Sequence, residues 1–185
     1  MKEVSVINFK DNLNDENEFD GQKHAKDVFK YLNKYKTDFA LLENDIKNFK
    51  LSQEFGIGED NKILVLEYLQ KLIKEGKRGK SYLWNEKGLI AEFESQKKID
   101  GKVKDIDFQK IFDDNSVGKT VQFTGFVEGR HNANTTAIMF YLINARNIET
   151  IMGDESPFCS INYAENTSSG KVRAITYIIM SKNKA

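Results

Sequence analysis

An α+β fold is predicted for this 185-residue chain, and three observations predict it. Apolar residues of the first half recur at helical spacing, three segments of the second half are rich in β-branched and aromatic residues, and charge thins out between the two. Residues 111–185 carry only 14 of the 56 charged side chains; the rest crowd into the first 110 positions. The division is placed near Asp113-Asp114-Asn115-Ser116-Val117-Gly118. It gives an acidic N-terminal segment (1–19), a mainly helical part (20–112) that includes a β-hairpin (81–94), and an antiparallel β part (113–185). No Pro/Gly/Ser-rich linker marks the junction, so two domains and two layers of one domain both fit.

Taken in order, Ala25, Val28, Phe29, Leu32 and Tyr35 form the stripe of a first helix behind an N-cap at Asp20. A second helix opens at Asp38, with Leu42, Ile46 and Phe49 as its apolar face. A third runs from Asp60 to just before Gly76, with Ile63, Leu66, Leu69 and Ile73 facing inward and Lys71 and Lys74 at its dipole-favoured end. Ser81 to Trp84 and Leu89 to Phe93 flank the Gly-terminated turn Asn85-Glu86-Lys87-Gly88, the pattern of a hairpin. Thr120 to Glu128, Phe158 to Ala164 and Lys171 to Ser181 read as strands, the last two paired antiparallel across Glu165 to Gly170. Thr136 to Asn144 is apolar on every side and fits a central strand or a buried helix; the strand is preferred.

Hydrophobic residues make up 39% of the chain and aromatic ones 11%, enough to build a core despite 30% charged residues. The single cysteine, Cys159, closes no internal disulfide and builds no cysteine-based zinc site, which fits a reducing compartment. Residues 1–14 lack the pattern of a signal peptide, and the longest apolar run, Ala137 to Ile143, is far below the roughly 18 residues that span a bilayer. A cytoplasmic setting is expected, without membrane contact.

Walker A, dinucleotide-binding, nucleophile-elbow and His-Glu-x-x-His signatures are missing, so neither cofactor nor metal is expected. The second and third helices with the hairpin fit a winged-helix arrangement. Its recognition helix, however, would present Glu59 and Asp60 to the duplex, the wrong polarity for phosphates. From Lys71 to Lys110 eleven basic residues face seven carboxylates. Within that stretch Lys77, Arg78, Lys80 and Lys87 surround Tyr82 and Trp84, cations beside aromatic rings as single-stranded nucleic acid requires, although the alternating Tyr82 and Trp84 also fit a core strand face.

Val117-Gly118-Lys119-Thr120-Val121 continuing to Gly125 and Gly129 resembles the first strand of many OB-folds, over about a dozen residues. The resemblance implies a barrel-like C-terminal sheet and makes Arg130 to Thr136 the loop after strand one, an oligonucleotide-binding edge. Independently, Arg130, His131, Asn132 and Asn134 concentrate hydrogen-bonding groups between apolar segments. Arg130 could hold a phosphate bidentately, and His131 could transfer protons near neutral pH, with His24, a carboxylate or a tyrosine as the second group.

Three functions follow as expectations. The leading one is a non-catalytic accessory or regulatory protein that binds nucleic acid or a nucleoprotein through Lys77 to Lys87 and Arg130 to Asn134. The second is a small protein-binding inhibitor or adaptor, such as one carried by a phage or plasmid against a nuclease, using the acidic residues 11–20 as a phosphate mimic. The third is a metal-independent, ribonuclease-like enzyme that uses His131.

Overall fold

The computed structural model describes residues 19–51, 57–85, 121–143, 148–166 and 173–182. Over these residues the chain is α+β. Helices α1 (Gly21–Thr37), α2 (Phe39–Asn48) and α3 (Glu59–Lys74) lead to strand β1 (Val121–Glu128). Helix α4 (Ala133–Leu142), the short α5 (Ile148–Met152) and strands β2 (Phe158–Asn166) and β3 (Arg173–Ser181) complete it.

Asp20 starts α1 by accepting hydrogen bonds from the Gln22 and Lys23 amides at 3.0 and 3.1 Å. Burial of Ala25, Val28, Leu32 and Tyr35 gives the expected face. Asp38 then serves two helices: its amide donates to Lys34 O at the end of α1, and its carboxylate accepts from Leu41 N at the start of α2. One residue thus sets the sharp α1–α2 corner, after which Phe39, Leu42 and Ile46 turn inward.

Helix α3 forms where expected, but its phase differs. Val65, Leu69 and Leu72 are buried, whereas Ile63 and Ile73 are 51% and 42% exposed. Apolar residues occur around most of its circumference, so two stripes crossing at Leu69 compete, and packing on α2 and α4 selects between them.

The expected first hairpin arm is also corrected, because Gly79–Tyr82 forms a 3₁₀ turn. Gly79 lies so close to the end of α1 that a β-carbon would come within 1.7 Å of Lys36 O. The Asn33 side chain then holds Trp84 at both main-chain groups, and Asn85 bridges β2 in parallel at Phe158. These contacts tie the segment to α1 and β2. The second arm, Leu89 to Phe93, lies outside the described residues.

The largest correction concerns Thr136 to Asn144, where a helix replaces the preferred strand. Asn132 caps α4 by accepting from Thr135 N at 2.8 Å, and Thr136 Oγ1 donates to Asn132 O. Every residue from Thr136 to Leu142 is buried, because α1, α2, α3 and β1 surround the helix. A helix covered on all sides has no polar face, so periodicity could not reveal it. Replacing Asn132 by alanine is expected to cost about 1 kcal/mol in denaturant unfolding. An unchanged midpoint would show that the cap contributes nothing to α4.

The three strands form an antiparallel sheet in the order β1-β3-β2, with the expected β2–β3 pairing. The β1–β3 register shifts between Phe123 and Gly125, at the mid-strand glycine. Among the described residues the sheet is open, without a closed barrel. Its core joins Val28, Leu32 and Leu42 from the helical part to Val127, Cys159 and Ile178 from the β part.

Candidate functional site

At the end of β1, Gly129 adopts a φ of 100°, a left-handed conformation that glycine accepts without steric cost, and its amide donates to Ala174 O. The turn sends Arg130 inward, where the side chain is fully buried. Its Nε donates to Glu165 Oε2 at 3.0 Å and a terminal guanidinium nitrogen donates to Oε1. Tyr163 donates its hydroxyl to the same carboxylate. The guanidinium therefore faces Glu165 and not solvent, and this network anchors the wall behind the site.

His131 follows and is also fully buried. Its Nε2 lies 3.2 Å from Glu128 O; a carbonyl can only accept, so Nε2 carries the hydrogen. His24 reaches the same region from α1, with Nε2 3.0 Å from Thr176 Oγ1. Burial lowers both imidazoles from 6.5 to about 4, with the nearby His131 contributing to the shift at His24. Phe19 stacks over the cluster, its ring centroid 5.3 Å from His24, 5.2 Å from Tyr163 and 4.9 Å from Arg130 Cζ.

In front of this wall lie two adjoining concavities between α1 and the start of α4. One, of about 240 Å³, is lined by Phe19, Lys23, His24 and His131. The other, of about 700 Å³, is lined by Lys30, Tyr31, Lys34 and Asn134. Asp27, Asn132 and Ala133 line both, so the two form one groove beside α1. Asp27 takes an ion pair from Lys23 at 3.2 Å, which reduces its negative charge toward the groove.

The expected residues divide accordingly. His131, Asn132 and Asn134 line the groove, with Asn132 engaged as the α4 cap and Asn134 accepting from Tyr35, whereas Arg130 is buried behind it on Glu165 and offers no guanidinium to a phosphate there. Lys77, Arg78 and Lys80 are exposed at the other end of α1, beside Gly79. Lys87 lies outside the described residues. Trp84 is buried, with Lys36 Nζ 4.2 Å from its ring centre, so its ring belongs to the core.

Sequence reasoning missed Lys23, Lys26, Lys30 and Lys34. All four are exposed, and their spacings of three, four and four put them on one face of α1. The signal was present in that spacing, but it was read only for apolar residues. No described helix is long and apolar enough to cross a membrane, and no three His, Cys, Asp or Glu side chains among the described residues converge as metal ligands.

Fold and site together define an α+β protein with a lysine-edged groove and a buried two-histidine wall. Compared with known proteins, the chain matches no family model, no curated protein and no solved structure.

Proposed function

We propose that this protein binds single-stranded nucleic acid along α1. The observation that carries the reading is the row of exposed lysines 23, 26, 30 and 34, of which 23, 30 and 34 line the groove. A helix rises 1.5 Å per residue, so the row places a cation roughly every 5 Å along one face of α1. Flexible ammonium groups at that pitch suit a phosphate backbone. Tyr31, half-buried in the groove wall, offers an aromatic face for a base, and Lys77, Arg78 and Lys80 extend the positive charge past the helix end.

A groove that meets about four phosphates gives a binding constant falling with salt at a log–log slope of about −3, a roughly 50-fold loss between 50 and 200 mM. Fluorescence anisotropy with labelled single-stranded RNA, single-stranded DNA and duplex measures this directly. The double substitution Lys30→Glu and Lys34→Glu is expected to weaken single-strand binding at least tenfold at the lower salt without changing the thermal midpoint by more than a few degrees. Salt-insensitive binding, or full affinity in the double variant, would remove the α1 face from the interface.

A further inference from the structure

We propose that the smaller pocket is a metal-independent RNA-cleaving site in which His131 and His24 carry protons to and from the scissile linkage. The proposal rests on the nucleic-acid reading above and names its substrate class as RNA. Two imidazoles from distant parts of the chain, one from α1 and one from the β1–α4 junction, meet in a single pocket wall. Lys23, exposed in the pocket lining, is the cation available to a phosphate there, which would have to draw it from its ion pair with Asp27. Both rings are oriented by hydrogen bonds, His24 at Thr176 Oγ1 and His131 at Glu128 O, and the Arg130–Glu165–Tyr163 network braces the strands behind them. The pocket opens into the larger concavity, which leaves room for neighbouring nucleotides.

With its Nε2 hydrogen donated to Glu128 O, neutral His131 carries its basic lone pair on Nδ1. That nitrogen takes the proton of a ribose 2′-hydroxyl while O2′ attacks the adjacent phosphorus. The P–O5′ bond breaks, and the imidazolium of His24 gives its proton to O5′. One product strand ends in a 2′,3′-cyclic phosphate and the other begins with a 5′-hydroxyl. No water is consumed and no oxidation state changes; proton exchange with solvent then resets both imidazoles. Lys23 stabilises the charge that builds on the non-bridging phosphate oxygens. His131 has no exposed surface, so the pocket must open to admit the strand; we assign that opening to Phe19, the partly exposed ring that lies against His24 and lines the same pocket as His131.

The groups that face the histidine pair are Asp20, Lys23 and Asp27 on α1, Tyr163 with the Arg130–Glu165 pair, and Thr176 on β3. With both imidazoles near 4 in the unliganded protein, kcat/KM should fall about tenfold per pH unit above 5, as the imidazolium of His24 is lost.

The test incubates the full chain with 5′-labelled single-stranded RNA in excess chelator between pH 4.5 and 7.5, beside a 2′-O-methyl RNA of the same sequence. The expected result is cleavage of the first substrate with cyclic-phosphate ends, and binding without cleavage of the second. His24→Gln and His131→Asn should each lower cleavage at least 100-fold while keeping 2′-O-methyl RNA affinity within threefold. Phe19→Ala should raise it several-fold, and an unchanged rate would remove Phe19 as the cover. Binding of unmodified RNA with no cleavage across the pH range would overturn the catalytic proposal and leave the nucleic-acid reading standing. Failure to bind either RNA would overturn both. Cleavage of the 2′-O-methyl strand, or products with 3′-hydroxyl ends, would also overturn the proposed chemistry, and this readout needs no variant to fold.

Discussion

Glu165→Ala is expected to destabilise the protein by about 3–5 kcal/mol, because it strands the buried guanidinium of Arg130 without its counter-charge. The Arg130 side chain is fully buried, and Glu165 takes hydrogen bonds from both Arg130 and Tyr163. Removing one partner of such a pair leaves the other charge desolvated and uncompensated, which costs more than the intact pair contributes. Replacing both partners, as Arg130→Met with Glu165→Leu, should recover most of that loss, since no charge is then left behind. Urea unfolding of the two single variants and the double variant measures the difference as a double-mutant cycle. A Glu165→Ala cost below about 1 kcal/mol would mean that the guanidinium finds water or another acceptor when its carboxylate is gone.

The second large effect is a dependence of stability on pH in two separate ramps. His24 and His131 titrate at 6.5 when unfolded and near 4 when folded, so between these values the unfolded chain binds more protons. The stability they contribute is present above pH 6.5 and lost as pH falls toward 4, on the order of 5 kcal/mol for the pair. Lys36 gives the upper ramp. It is fully buried on α1, donates to Ile151 O and Gly153 O, and lies over Trp84, with Asp154 and Cys159 nearby. Burial lowers its ammonium from 10.5 to about 7, so stability rises with pH from about 7.

That rise is about 2 kcal/mol up to pH 9. Above this the buried thiol of Cys159 and then the buried tyrosines, all raised by burial, begin to subtract from it. Urea unfolding at half-unit steps from pH 4 to 9 should show both ramps, with Lys36→Met flattening only the upper and His24→Gln reducing only the lower. A flat profile from pH 7 to 9 in the native protein would show that Lys36 stays charged inside the fold.

The same residues explain how far the chain could be read beforehand. Helix α1 was legible because Asp20 caps it and one face is apolar over about three turns from Ala25 to Tyr35, so local propensity and burial agree. Its lysine row was equally legible, in the spacing 23, 26, 30, 34. The strands β1, β2 and β3 were legible from their β-branched content. The groove was not, because its walls come from α1 and the start of α4, and the all-apolar run of α4 fits a strand as well as a helix. The signal that could have corrected this was Asn132 followed by Thr135 and Thr136, an N-cap pattern hidden inside what looked like a polar loop.

The α+β class, three helices with the Asp20 cap of the first, and the pairing of β2 with β3 were legible in the residues alone, since each rests on interactions between residues close in the chain. The phase of α3, the helical state of Ala133–Leu142 and the meeting of His24 with His131 instead depend on packing between elements distant in the chain. Apolar residues around most of α3 and all of α4 leave the face of the first and the state of the second undecided by periodicity, so neighbouring elements choose them. The histidines are joined only when α1 packs beside α4 over the sheet, and local spacing carries no information about a contact between such distant parts of the chain.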